Sequence, residues 1–556
     1  MPRPYPLNFK PGVQRDGTRV DSECSVDAQW TRWRMGRPRK MGGYRTITSE
    51  VQGKGRRIFM YYKGGQVITH IGHSHGIEQV VFDTEGNFIS RVDRTPPNFI
   101  GGIEPGWTID ALFDTTSEAI QLLAHSTPNV GVIADNVRTP PFVGLIDAVT
   151  PLAQLGNPDS TFGGNYTQPQ FSGGLVCVQP FLFSFDSDGR IGWSAPNIPD
   201  TLGVSGGNSG AGIARVSAQK FLSGMPLRGG GGNSPAALFW SLSEVVTANF
   251  TGPPEWFRFN TPSPSSSILA GATTIEYDGL YYWAGVDRFL MFNGTVVEVP
   301  NNYNADWFFD NMNWAYAGKS FAFKVPRFGE IWFCAPLFGA TEPSHAVIYN
   351  TREKCWYDTV LPDGGRSAGF FAQGFRFPVM SGVSQGADGF QLWLHETRGK
   401  NRIDRSGPQP IRAYVSTPFM GGPMASPPDS HGLSVGQLEA DMLQTGDMAI
   451  VGSGGSNPRG SDIPTDAAIL KADPATADEQ LVGVKMSRRY LRMIFESNTM
   501  NGDFVFGRNI LHVEAGDQKM SGGVGKPLST PPDRTAIPAD PPLTIPSTPL
   551  SDFTEE

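Results

Sequence analysis

The chain has few cysteines, little charge of one sign, little helical periodicity and no long apolar run. Its four cysteines, Cys24, Cys177, Cys334 and Cys355, stand far apart with no C-x-x-C spacing. That is a poor disulfide or zinc framework for 556 residues, so reduced core thiols in a cytoplasmic setting are expected. No stretch reaches the ~18 apolar residues of a membrane span, and the opening MPRPYPLNFKPGVQRD lacks the apolar centre of a signal peptide. Neither a membrane span nor secretory export is therefore expected. Lys and Arg number 45 against 53 Asp and Glu, a net charge of −8, which excludes a polycation built to grip nucleic acid.

What the chain does have is turn residues and aromatics: 67 Gly, 46 Pro and 36 Phe, a composition that suits an all-β architecture with many tight turns. Residues 275–358 show the plan best. Runs at 273–277, 280–283, 288–292 and 296–299 are dense in aromatic and β-branched residues and are separated by Asp278-Gly279 and Asn293-Gly294. These dipeptides favour two-residue hairpins of type I′, whose central residues need positive φ. Runs at 320–325, 330–335, 346–350 and 354–358 repeat the pattern. Two successive four-stranded meanders predict blades of a β-propeller. Similar segments from about 46 to 405, with hairpins through Gly64-Gly65 and Glu85-Gly86-Asn87, predict about five to seven four-stranded blades.

Three other regions flank the propeller. Residues 1–45 read as an extended basic N-terminal arm in which Trp30 and Trp33 interleave with Arg32, Arg34, Arg37, Arg39 and Lys40. Such a cluster meets phosphates or an acidic neighbour, and aromatics beside Arg suit interface anchors; the plain alternative is a solvated or internally paired segment. Residues 406–518 predict a small β-domain of sandwich type, from alternation such as Tyr490 to Phe495. Residues 519–556 are a Pro/Thr/Ser-rich flexible tail unable to bury enough apolar surface to fold alone.

Candidate chemistry is thin. His73 and His75 have no second ligand pair for a metal, so no metal or cofactor is expected. In SFDSDGRIGW, Asp186 and Asp188 resemble neither a complete Asp-box nor a calcium loop, and an ordinary Asp-Gly hairpin is the better reading. The glycine run 229–232 lacks the Lys-Ser/Thr and the helix of a phosphate loop. Glu276, Asp278, Asp287, Glu298 and Glu330 include acids from which a glycosidase pair could be drawn, but most sit in or beside turns, and no enzyme is expected.

The opening resembles bacteriophage tail proteins of the tail nozzle, tail hub and packaged-DNA stabilisation type, in which a Pro-Gly and a tryptophan precede an Arg-x-Gly-Arg-Pro-x-Lys-x-Gly-Gly signature. Here that signature is Arg34, Gly36, Arg37, Pro38, Lys40, Gly42 and Gly43. Runs around Tyr282-Trp283, residues 328–332 and Trp356-Tyr357-Asp358, and the ending at 487–517, are also similar to such proteins. The resemblance covers about half the chain in three places. It implies a structural virion protein, made in the host cytoplasm and built into the tail: one subunit of a homo-oligomeric ring, usually a hexamer, below portal and adapter. The ring would retain the packaged genome and allow DNA ejection. Its implied partners are copies of itself, adapter or portal-proximal proteins, distal tail or fibre proteins, and double-stranded DNA passing without sequence specificity. A mildly acidic chain suits a conduit, because a basic lumen would hold the phosphates. The alternative reading is a receptor- or glycan-binding tail protein, and after it a propeller glycosidase.

Overall fold

The structure, a computed structural model, describes residues 3–18, 22–47, 50–97, 99, 106–127, 137–156, 170–203, 210–228, 234–383, 389–421, 433–455, 462–472 and 481–515. The proline-rich tail 519–556 and the glycine run 229–232 lie outside the described residues. The chain is mostly β, and the one α-helix among the described residues, Ala305–Asp310, is short.

Turn chemistry sets the register. Asp278 and Gly279 both take positive φ, 50° and 79°, and Tyr277 pairs with Leu280 across them, as a type I′ hairpin requires. Gly64 and Gly65 do the same between Lys63 and Gln66. Asn293-Gly294 departs from the expected two-residue turn. Only Gly294 has positive φ, and Phe292 pairs with Val296, so the loop takes in Thr295 as a third residue. The Thr295 hydroxyl and amide both donate to Asn293 Oδ1, at 3.2 and 3.3 Å, so a side chain closes this loop together with the main-chain bond from Asn293 N–H to Thr295 O at 3.2 Å.

Six four-stranded antiparallel sheets, each with its strands in sequence order, follow one another among the described residues. They open with the strands Gly55–Lys63, Gly106–Asp114, Gly174–Val178, Phe221–Pro226, Ile275–Tyr277 and Phe321–Val325. These opening strands lie against one another in succession, with the short 3-10 turn Gly271–Thr273 bridging the fourth to the fifth and sixth. A last sheet follows, from Arg366–Phe370, Val379–Val383 and Phe390–Thr397, and its opening strand returns against Gly55–Lys63. Aromatic side chains fill the space between sheets. Phe289 lies 5.0 Å from Phe333 and 4.6 Å from Trp356, and all three are buried. Each such side chain contributes roughly 1.5–3 kcal/mol by leaving water.

The N-terminal segment is part of this body. Gly43–Thr46 supplies the fourth strand of the last sheet, antiparallel to Phe390–Thr397, and Asn401–Asp404 then pairs with it in parallel. Other N-terminal strands join C-terminal ones: Arg3–Pro6 pairs with Ile510–Ala515, and Asp27–Gln29 with Ala413–Ser416. The hairpin Thr31–Arg34/Arg37–Lys40 continues through Arg39 onto Val505. The described residues between 3 and 46 are therefore not an extended free arm, and strand pairing crosses the expected boundaries near 45 and 405. The reason is backbone satisfaction. Each of these strands has N–H and C=O groups that need partners, and the C-terminal strands supply them. In the C-terminal region Leu481–Arg488 alternates exposed and buried residues, so one face covers the core.

Candidate functional site: the buried N-terminal signature

The segment carrying the basic signature is shaped by its glycines. Met35 and Gly36, with φ of 53° and 73°, close the hairpin in which Arg34 pairs with Arg37. Glu353 accepts from the Met35 and Gly36 amides at 2.7 and 3.0 Å and ties the turn to the sixth sheet. Gly42 and Gly43 pass between backbones. A Cβ on Gly42 would meet Glu396 Cα at 2.6 Å, and one on Gly43 would meet the Gly399 and Asn401 carbonyl oxygens at 2.4 and 2.5 Å. Only glycine fits there without displacing main chain.

Arg32 is the centre of this region and is 1 % exposed. Its Nε and Nη2 donate to the two oxygens of Glu330 at 2.7 and 3.0 Å, while Nη1 and Nη2 donate to Glu396 at 2.7 and 2.6 Å. Its guanidinium also lies 3.8 Å from the Phe328 ring centroid. Glu330 further accepts from Tyr357 Oη at 2.7 Å and Trp332 Nε1 at 3.0 Å, and Glu396 from the Gly42 amide at 3.2 Å. Burial works against every charge in the group. It lifts the Glu330 carboxyl above its usual range, although Arg32 pulls it down. At Glu396 the Arg32 contact outweighs burial and holds the carboxyl low, and the two glutamates together raise Arg32 against the same penalty. A triad of two carboxylates and one guanidinium, solvated by neutral donors, links residues 32, 330 and 396 of the chain.

The other signature residues divide between interior and surface. Trp30 is buried; its Nε1 donates to Gly42 O at 2.9 Å and its ring meets Tyr44 and Trp332 edge-on. Trp33 is buried beside Tyr357, with ring centroids 5.1 Å apart. Lys40 is buried, donates to Ile411 O at 2.6 Å, and is pushed down to about 8 by burial and by the nearby Lys400. Arg39 is half-buried and also lowered by burial, with Asp503 pulling the other way. Arg34 and Arg37 are exposed. Trp30, Arg32, Trp33 and Lys40 thus face the chain's own interior, which corrects their reading as contacts to a neighbour or to phosphates. Arg34, Arg37 and the exposed part of Arg39 remain for such contacts. Glu396 was not singled out in the sequence, and Tyr357 only as part of the run Trp356-Tyr357-Asp358. Glu330 was, as an acid, and its place in the apolar run EIWFCA was the available signal of a buried partner.

The remaining candidates have structural roles. Asp186 Oδ1 accepts from the Ser172 amide and hydroxyl at 3.1 and 2.6 Å, and its other oxygen pairs with Arg138 at 2.7 Å. Asp188 pairs with Arg138 and Arg190 beside Gly189, whose φ is 75°. Glu276 accepts from Lys324 at 3.0 Å and from the Gly279 amide at 2.9 Å; these contacts lower its carboxyl although burial opposes them. Asp287 and Glu298 both lie near Arg288 at the surface. His73 is buried and His75 exposed, and no group of three or more His, Cys, Asp or Glu among the described residues is placed to hold a metal. The four cysteines are free and buried. No described helix is long and apolar enough to cross a membrane.

No protein-family model matches the chain, and no curated protein matches it significantly.

Proposed function

We propose that this chain is a structural subunit of a bacteriophage tail, a seven-bladed propeller knitted to a C-terminal β-region, that builds a ring of identical copies around the DNA conduit. Six blades are the four-stranded meanders; the seventh takes its outer strand, Gly43–Thr46, from the other end of the chain. The observation that carries the reading is where the signature falls. The residues on which the resemblance rests, Gly36, Lys40, Gly42 and Gly43 among them, occupy the turn, the interior and the close backbone crossings of the seam between the last sheet and the C-terminal strands. A motif used in this way fixes how the two regions join, as a ring subunit that must keep its shape requires. The net charge of −8 lets double-stranded DNA pass without being held.

Mass spectrometry of purified virions, with cryo-EM of the particle, tests this. Several copies placed on the tail axis between portal-proximal and distal proteins are expected. A mature particle lacking the chain, or carrying it only at fibre tips, sinks the proposal. A glycan-binding tail protein is the second reading, favoured by the exposed Trp314 and Phe338. Glycan-array binding that is lost in Trp314→Ala would establish it instead. The glycosidase reading predicts polysaccharide turnover that Glu276→Gln abolishes.

A further inference from the structure

We infer that the axial space enclosed by the opening strands is a binding site for a small oxyanion, with Arg57 as its anchor. Three cavities, of about 140, 430 and 560 Å³, include Arg57 in their walls. Together they draw on opening strands from around the ring, with Asp110, Leu175, Ser223, Glu276, Phe323 and Phe370 among their lining residues. A bulge sets the geometry. Gly55 pairs with His73 and Arg57 with Gly72, so Arg56 is an extra residue in its strand. Arg56 turns to Glu342 and is paired by it at 2.7 and 2.9 Å. Arg57, the next residue, has no such partner. Its Nε is buried without a hydrogen bond, and no carboxylate among the described residues lies within ion-pair distance of it.

The one acid that pulls on Arg57 is Asp110, which is already occupied. Its Oδ2 accepts from the Cys177 amide at 2.8 Å and its Oδ1 from the Ala111 amide at 2.8 Å. The other charges on these walls do not restore balance. With Arg56 matched by Glu342, Arg57, Arg228 and Lys324 face two carboxylates, Asp110 and Glu276, so one positive charge is left over on these walls in a chain whose total is −8. Glu276 lies 3.0 Å from Lys324 and 3.8 Å from Arg228. Arg57 is half-buried with its Nε cut off from water, and an anion in the cavity would supply the acceptor that this nitrogen lacks. The planar fork of the guanidinium matches the paired oxygens of a phosphate, sulfate or carboxylate.

Isothermal titration calorimetry of the full chain, at fixed ionic strength in chloride, tests the site with inorganic phosphate, sulfate and acetate as separate probes. One saturable equivalent of an oxyanion is expected. Tetrahedral phosphate or sulfate binding more tightly than acetate would indicate a phosphate-like ligand, and the reverse order a carboxylate. Arg57→Gln is expected to weaken binding at least tenfold. Arg57→Lys keeps the charge but loses the fork, so it covers the case in which Arg57→Gln fails to fold, and it should bind several-fold more weakly. Arg288→Gln, at the surface, should bind as the parent does. No saturable heat from any of the three anions, or equal affinity in the parent and either Arg57 variant, overturns the inference.

Discussion

Arg32→Met removes the cation that contacts both Glu330 and Glu396 and leaves the two carboxylates without an ion-pair partner, with Lys400 acting on Glu396 only from beyond contact. The least costly response is protonation. For a glutamate with an unfolded pKa of about 4.3, taking up a proton at pH 7 costs roughly 1.36 × 2.7, or about 4 kcal/mol. Because Tyr357 and Trp332 still donate to Glu330, one carboxylate can stay charged. The expected loss is therefore about 4 kcal/mol for one protonation and about 7 kcal/mol for two, against ~3–5 kcal/mol for breaking a buried ion pair in general. The sign of the pH effect follows from the same argument. In the variant the folded-state pKa of a stranded carboxyl is raised, so its penalty is small near pH 4.3 and grows as pH rises above it. At pH 5 each protonation costs only ~1 kcal/mol, so the gap between parent and variant should narrow by about 2.7 kcal/mol per carboxyl. Urea denaturation followed by tryptophan fluorescence reads this directly, since Trp30 and Trp332 pack beside the triad. Adding Glu330→Gln to the variant should recover part of the loss at pH 7. Coincident midpoints at pH 7, or a gap as wide at pH 5 as at pH 7, would refute the reasoning.

Gly43→Ala should destabilise the chain by about 3 kcal/mol or more, because its Cβ would press on two carbonyl oxygens rather than on a side chain free to move. Limited proteolysis around residue 46 should accelerate in step, and an unchanged digestion pattern would count against the close crossing. Acid should weaken the parent before its carboxylates titrate. Burial, with Arg94 adding to it, holds His70 down to about 3, and burial holds His125 down to about 4. Their Nδ1 atoms are enclosed without partners, so protonation has nowhere to be stabilised. Stability from these two is complete above pH ~6.5 and is lost as pH falls toward 4, by about 2 kcal/mol each at pH 5; a urea midpoint flat from pH 7 to 5 would contradict this. Asp186→Ala should cost about 1–3 kcal/mol by freeing the buried Ser172 amide and hydroxyl, visible as a lowered Tm.

The sheets were legible because their information is local. Aromatic and β-branched runs between Asp-Gly and Gly-Gly pairs foretold strands such as Leu280–Ala284 and Glu330–Ala335 almost to the residue. The triad was not legible, because nothing near Arg32 announces partners 298 and 364 residues away. The same holds for the outer strand Gly43–Thr46, whose four residues GYRT show no pattern of their own and become a strand only against Phe390–Thr397. A run of arginines and lysine with no acid between them suggested an arm for phosphates or a neighbour, because the acids that neutralise Arg32 lie in other sheets. Arg57 was passed over for the opposite reason: its neighbours in RRIFMYY read as an ordinary strand, and the bulge that separates it from Arg56 exists only in the pairing.

The late partner of that outer strand has a consequence for synthesis. Residues 43–46 leave the ribosome long before residues 393–397 exist, and a separation such as the 364 residues between Arg32 and Glu396 takes about 20 to 70 s to translate at ~5–20 residues per second. For that interval the strand Gly43–Thr46 has no sheet to join. The last sheet can therefore close only after Phe390–Thr397 has been made, a pairing of very high contact order.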